Sequence, residues 1–523
     1  MQAIILAGGK GTRLAERLGG KPKPLVDVCG TPLLERQIRN LEGHGVNDIV
    51  VLVNHAADQI HRFLASNRYS SKIRVIDDGM PKGTAGAVMA CLDVMAPRSL
   101  IIYGDTLFDI DIAHMLRSHD AAKADVTLLL HPNDHPADSD LVALSADGYI
   151  SAFHTHPHPV GADLRNLVNA AFYVVERNAL EAWRDISVPS DFGHDLFPEM
   201  IEAGHRLFGY ISAEYIKDLG TPARLDKVER HFASGMVEKS SRRVAQHGVF
   251  IDRDGTLNRP AGHINRPEAI QLIPGAGNAL KRLNEAGLRT ILVTNQPVIA
   301  RGECDLATLD RIHGRLEMML SESGAYLDRI YFCPHHPHSG YPGEVTALKI
   351  NCECRKPATG MIEKGLEDFH IDRHRSWMVG DSAADMIAAR RSGLLSVLVR
   401  TGLPETEPEA IKEADIVVRD FPEAASLILE TYPVLRLKIL DHLAQIKEGD
   451  CVPVSAHAHP ATSAVLRNEL RAAGRAVIEV KPDAEIAAFS TSAVLILPDR
   501  LEASTTATNR PIYPNLLAST PES

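Results

Sequence analysis

The sequence predicts two α/β domains in tandem, each a doubly wound, mostly parallel sheet covered by helices, with a short α/β appendage behind them. Three observations carry this reading. The chain has 523 residues, too many for one hydrophobic core at about 150 residues per domain. From Met1 to about Met236, short β-branched segments (Ala3–Leu6, Ile49–Val53, Leu100–Tyr103) alternate with helical patterns, as parallel strands joined by helical crossovers do. The same alternation restarts at Gly248–Ile251 and runs through Thr290–Val293, Ser376–Val379 and Ser396–Val399 to Ile416–Val418.

These patterns set the expected boundaries: a first domain over 1–236, a polar and basic linker over 237–246, a second domain over 247–431 and an appendage over 432–498. Residues 499–523, rich in Thr, Ser, Pro and Asn, are expected to be disordered. Apolar residues make up 45% and charged residues 24% of the chain, the balance of an ordinary globular protein. Lys and Arg number 56 against 67 Asp and Glu, a net charge of −11 that argues against nucleic acid or an anionic membrane as partner. Met1–Ala7 is apolar but lacks a basic leader and is too short for a secretory signal. No run approaches the ~20 apolar residues of a membrane span, so a cytoplasmic chain acting on small molecules is expected. The number of chains in the assembly is left open.

The first strand runs into Leu6-Ala7-Gly8-Gly9-Lys10-Gly11-Thr12-Arg13-Leu14. Glycines there let backbone N–H groups approach phosphate oxygens, since no Cβ intervenes. Arg13, and Lys23 in Lys21-Pro22-Lys23-Pro24, supply the positive charge that in-line nucleotidyl transfer needs on the α-phosphate. A dinucleotide-binding turn would need Gly-x-Gly-x-x-Gly, which is absent, and gives the Pro-Lys-Pro no role.

With these motifs residues 1–235 resemble the sugar-1-phosphate nucleotidyltransferase family, a Rossmann-like fold. The resemblance implies that Leu6, Ala7, Gly8, Gly9, Gly11, Thr12 and Arg13 bind the nucleoside triphosphate and that Gly83 and Thr84, in Gly83-Thr84-Ala85-Gly86-Ala87, meet its base and ribose. It implies that Asp105 and Asp218 hold Mg²⁺ and that Asn169 contacts the sugar phosphate. One departure stands out. Relatives carry Glu-Lys-Pro where this chain has Thr155-His156-Pro157, and a histidine is a weaker phosphate-holding cation at pH 7.

The second domain opens with Asp252-Arg253-Asp254-Gly255-Thr256-Leu257-Asn258 at a strand end. Carboxylates at i and i+2 leave a strand on the same side, one as nucleophile and one as proton donor. Buried together they repel, which implies Mg²⁺ between them and a phosphate. A calcium loop would need further oxygen ligands downstream, which Leu257 and Pro260 do not provide. Thr294 and Asn295 end a second strand, Arg355 and Lys356 follow a loop, and Asp381 ends another strand with Asp385 beside it.

In this order the parts resemble the haloacid-dehalogenase (HAD) superfamily over about 247–431. The resemblance implies attack by Asp252 to give an aspartyl phosphate, with Asp254 as acid and then base, and Thr294 and Lys356 on the phosphate. Mg²⁺ falls to Asp252, Asp381 and the backbone carbonyl of Asp254, and the sugar phosphate to Asn295, Arg355 and Lys356.

Cys333-Pro334-His335 and Cys352-Glu353-Cys354 give four ligands for a closed, structural zinc site ending two residues before Lys356. Such a loop is shared by histidinol-phosphate phosphatases and D-glycero-D-manno-heptose 1,7-bisphosphate phosphatases. On those grounds His335 rather than His336 is the fourth ligand, and the second domain resembles the heptose group more. Joined to a guanylyltransferase-like first domain, it implies synthesis of a nucleotide-activated heptose from the α-anomer and GTP. The alternative is a hexose-1-phosphate nucleotidyltransferase fused to a histidinol-phosphate phosphatase. Val452–Ser463 is similar in outline to a kinase phosphate loop but lacks its lysine and glycines, and no function is assigned to it.

Overall fold

The structure, a computed structural model, describes residues 1–9, 11–340, 342–403 and 407–433, with isolated pieces at 436, 468–469, 476–479 and 493–496. The loop 452–463 and the tail 499–523 lie outside the described residues. Of the appendage 432–498, the main piece described is a parallel pair of strands, Ala476–Glu479 with Ala493–Ile496. Among the described residues no helix is long and apolar enough to cross a membrane.

The chain divides into two compact units. The first comprises Met1–Gln246 and Asp310–Asp328, and the second comprises His247–Leu309 and the chain from Arg329 onward. The stretch 237–246, expected as a linker, is instead built into the first unit. Val237, on the short helix Met236–Lys239, is buried with Leu14, Leu107 and Leu225. The buried amide of Gln246 donates to the carbonyls of Ser241 and Val244 at 3.0 and 2.7 Å. The basic composition concealed this, because single apolar anchors and backbone acceptors hold the segment.

At the centre of the first unit, Gln2–Leu6 pairs in parallel with Asp48–Val53 on one side and Arg98–Tyr103 on the other, and Lys72–Asp77 continues beyond Asp48–Val53. Alternate residues feed two layers, as the period of a strand requires. Ile4, Val50, Leu52 and Ile101 join one apolar cluster, whereas Ala3, Ile5, Ile49, Val51 and Ile102 join the other. Helices therefore cover both faces. The far side is mixed: Val168–Glu176 runs antiparallel to Arg98–Tyr103 and to Val126–His131. The alternation pattern did not reveal this flank, since a strand buried on both faces carries no mark of its direction.

The second unit holds six parallel strands in the order Arg329–Cys333, Arg289–Asn295, Gly248–Ile251, Trp377–Gly380, Leu395–Val399 and Ile416–Val418. Val249, Phe250 and Ile251 are all fully buried, as expected for a parallel strand with helices on both sides. Neighbouring strands thus deliver Asp252, Thr294 and Asp381 to one edge, the carboxyl end of the sheet, where ligands of such folds bind.

Candidate active sites

In the first unit the glycine-rich turn, Lys23, Gly83, Thr84 and Asp105 line one cavity of about 300 Å³. Leu6, Ala7, Gly8, Gly9 and Gly11 all face it, and Lys10 lies outside the described residues. Glycine is required at Gly11, where φ is +63° and a Cβ would sit 3.0 Å from the Lys23 side chain. It is required again at Gly83, with φ +75°, where a Cβ would meet the Ser190 carbonyl at 2.2 Å. The hydroxyl of Thr84 donates to Asp191 at 2.6 Å, which ties the helix Gly83–Ala90 to the segment behind it.

The two expected metal aspartates come together through their backbones. Asp105 immediately precedes the strand Thr106–Asp109, whose antiparallel partner Tyr215–Asp218 ends in Asp218, and the Leu219 N–H donates to the Asp105 carbonyl at 2.8 Å. Each carboxylate already holds a cation. Lys23 Nζ lies 2.5 Å from Asp105, and Arg224 grips both oxygens of Asp218 at 2.8 and 3.0 Å. Burial pushes the pKa of Asp218 up, but Arg224 and the Gly220 N–H outweigh it, so the carboxyl stays below its usual range. Arg13 reaches this side too, with Nη2 3.4 Å from where a Cβ on Gly220 would stand.

Thr12, Arg13, Asn169 and Asp218 are not in the cavity lining. The Asn169 side-chain oxygen accepts from the Ala171 N–H at 3.2 Å. His156 is turned to the backbone: its Nδ1 faces the Ala137 carbonyl at 3.2 Å, which makes Nδ1 the protonated nitrogen, and its N–H donates to Asp140.

In the second unit Asp252, Asp381 and Asp385 bring carboxylate oxygens within 4.8 Å of one another. Buried Lys356 lies among them, with Nζ 2.6 Å from Asp252, 2.6 Å from Asp385 and 2.6 Å from the Val293 carbonyl. Three carboxylates against one ammonium leave an excess of negative charge. Burial, added to by Asp385 and Asp254, pushes Asp252 up to about 7 against the pull of Lys356. Burial and the same crowding push Asp381 up to about 8. Such a set suits a divalent cation with oxygen ligands.

Asp254 differs. Burial raises its pKa, but the guanidinium of Arg253 and hydrogen bonds from Arg253, Asn258 and Gln296 prevail and hold it low. It is therefore ionised at rest. Gln296 also donates to Thr294 Oγ1 at 2.9 Å, leaving the Thr294 O–H to donate elsewhere.

Three features of this site were not read from sequence. Asp385 caps its helix through Ser382, whose hydroxyl donates to it at 2.6 Å, while its other oxygen meets Lys356. Arg253, between the two motif aspartates, is fully buried and holds Asp254 and Gln296. The Asn295 amide, expected on a sugar phosphate, exchanges two hydrogen bonds of 3.0 Å with the backbone of Lys356, and Arg355 donates to the His335 carbonyl at 3.2 Å. Side-chain chemistry alone does not distinguish a residue that grips a ligand from one that clamps its neighbour.

Cys333, His335, Cys352 and Cys354 also gather, with ligand atoms within 4.8 Å of one another. Their sulfurs are 3.2 to 3.6 Å apart, too far for disulfides at about 2.05 Å. His336 is outside this group, and its Nδ1 accepts from the His338 N–H. The four soft and borderline donors fit a tetrahedral metal.

Gly255 keeps the acidic cluster in place. Its φ is +80°, and a Cβ there would lie 2.2 Å from Asp381 Oδ2. Gly255→Ala must displace Asp381 by about 1 Å, a shift that costs on the order of 10²-fold in turnover. Steady-state phosphate release checks this, with an unchanged thermal unfolding transition of the second unit as the folding control.

A family model described as nucleotidyl transferase matches residues 2–234, and one described as HAD-hydrolase-like matches residues 353–424. The curated protein "D-glycero-beta-D-manno-heptose-1,7-bisphosphate 7-phosphatase" of Haemophilus ducreyi is 41% identical over 177 residues, 34% of this chain and 94% of that protein. Its namesake from Escherichia coli K12 is 39% identical over 180 residues, 34% of this chain and 92% of that protein. The crystal structure titled HddC from Yersinia pseudotuberculosis aligns at 25% identity and a TM-score of 0.39, covering 44% of this chain and 99% of that one. The chain is thus a nucleotidyl transferase and a phosphatase in one polypeptide, and through its second half it belongs to the D-glycero-beta-D-manno-heptose-1,7-bisphosphate 7-phosphatase family.

Proposed function

We propose that the chain removes the 7-phosphate of D-glycero-D-manno-heptose 1,7-bisphosphate and transfers GMP from GTP to the heptose 1-phosphate so formed. The observation that carries the reading is the set of Asp252, Asp381 and Asp385 gathered at buried Lys356, in a domain whose curated relatives are named for that bisphosphate. A sugar nucleotidyltransferase joins its nucleotide to a 1-phosphate, so the phosphate removed must be the distal one. The family match favours the heptose over histidinol phosphate. The α-anomer is the reading of the first unit's resemblance, whereas the relatives of the second are named for the β-anomer; both units must accept the same one.

Asp252 attacks phosphorus, and the sugar oxygen leaves with a proton from Asp254, taken up beforehand. Asp254, returned to the ionised state that Arg253 favours, then draws a proton from the water that hydrolyses the aspartyl phosphate. The Lys356 ammonium and the Thr294 hydroxyl hold phosphoryl oxygens. Asp252, Asp381 and the backbone carbonyl of Asp254 would hold Mg²⁺, which supplies charge to offset that of the phosphoryl group. In the first unit, Asp105 and Asp218 would hold Mg²⁺ beside the triphosphate, with Arg13 and Lys23 on its α-phosphate. Cys333, His335, Cys352 and Cys354 would hold zinc in a structural role.

Asp252→Asn keeps the shape and removes the attacking anion. Phosphate release from the bisphosphate should fall by about 10³-fold or more, while GMP transfer to supplied heptose 1-phosphate continues. Turnover near that of the parent chain would overturn the nucleophile. Elemental analysis of the purified chain should find about one zinc per chain, lost in Cys352→Ser together with stability of the second unit. Unchanged zinc in that variant would remove Cys352 from the ligand set.

A further inference from the structure

The cavity of the first unit has a second wall, away from the glycine-rich turn. Asp48–Val53 and Lys72–Asp77 pair in parallel with Val53 opposite Asp77, so the next residues, Asn54 and Asp78, leave the carboxyl ends of adjacent strands side by side. Both line the cavity. The Asp78 N–H donates to the Val53 carbonyl at 3.1 Å, and Asn54 Nδ2 donates to Asp78 Oδ1 at 2.8 Å. That bond orients both side chains. One of the two Asn54 N–H groups is engaged by Asp78, which leaves Asn54 Oδ1 as an acceptor, and Asp78 Oδ2 is a second acceptor beside it.

We infer that Asp78, oriented by Asn54, selects guanine in the incoming nucleoside triphosphate. This rests on the reading of the first unit as a sugar nucleotidyltransferase and names the residue that sets its base. Two adjacent acceptors, one of them an anion, call for an edge with adjacent donors. Guanine presents N1–H and N2–H₂ next to each other. Adenine and cytosine present a bare ring nitrogen, an acceptor, at the corresponding place. Uracil and thymine present one N–H flanked by two carbonyl oxygens, which a carboxylate repels. Lys82 lines the same cavity and offers a donor suited to guanine O6. A site built to pair with a donor edge rejects bases that lack it, because its own acceptors are then left desolvated and unpaired.

The test is equilibrium binding of GTP, ATP, CTP and UTP to the full chain by calorimetry, which does not depend on which sugar phosphate is the acceptor. The parent chain should bind GTP at least about tenfold tighter than the other three. Asp78→Asn, which replaces one acceptor by a donor, should lose at least about tenfold in GTP affinity and most of the preference, an effect of the size of one misread base edge. An unchanged thermal unfolding transition of the first unit reports that the variant is folded. Preference of the parent chain for another triphosphate, or no binding of any, overturns the inference together with the GMP reading. GTP preference that survives Asp78→Asn overturns the role of Asp78 alone and leaves that reading standing. A sugar other than heptose would overturn the proposed pathway without touching the base preference.

Discussion

The Lys356 ammonium is the interaction on which the second unit depends. It bridges the carboxylates of Asp252 and Asp385 and caps the Val293 carbonyl, joining two neighbouring strands and the helix Ala383–Ser392 around one buried charge. Without it, three carboxylates within 4.8 Å of each other would have no counter-charge in contact among the described residues. Removing one partner of such a buried set costs several kcal/mol. The lysine is itself held from two sides. Asn295 clamps its backbone, and the chain reaches it directly from Cys354 in the cysteine–histidine cluster. That cluster stands in an irregular loop with little core of its own. A structural metal there would fix the approach of Lys356 to the phosphate.

Both units use the same device in different ways. Each places its chemistry at the carboxyl ends of parallel strands, where backbone groups and loop side chains converge. In the first unit glycines open the space, and neighbouring cations already occupy Asp105 and Asp218. A triphosphate and its metal would therefore enter by exchanging partners within an ion-pair network. In the second unit the acids face one another and are short of cations, so an incoming metal adds charge where it is lacking. Asp254 stands apart from that crowding because Arg253 neutralises it locally, and the two motif aspartates thereby acquire opposite tendencies two residues apart.

Much of this was legible in the sequence, and the rest was hidden for physical reasons. The strand at Gly248–Ile251 and the Asp-x-Asp that follows it were readable because burial on two faces and a strand-end carboxylate pair are local properties. The doubly covered sheets followed from alternation. The antiparallel flank at Val168–Glu176 did not, since strand direction is set by long-range pairing. Asp385 was noticed beside Asp381, but its double duty as helix cap and lysine partner is a tertiary fact. Arg253 carries no mark in the sequence of its full burial, which long-range packing sets. Asn295 and His156 carry the right chemistry for ligand contacts, and in the structure both are turned to backbone groups. The segment 237–246 looked like a linker because its attachment rests on scattered anchors, such as buried Val237 and the Arg243–Asp109 ion pair, rather than on a periodic pattern.

The central claim is that one chain trims a sugar bisphosphate at its distal end and activates it at the other. Phosphorus NMR of a single reaction tests this most directly, with both anomers of D-glycero-D-manno-heptose 1,7-bisphosphate, GTP and Mg²⁺ supplied to the full chain. The account predicts loss of the C7 phosphate as free phosphate, retention of the C1 phosphorus in a new diphosphate linkage, release of pyrophosphate and a product with the mass of GDP-heptose. Release of the C1 phosphate, or hydrolysis of histidinol phosphate with no turnover of the bisphosphate, would contradict it.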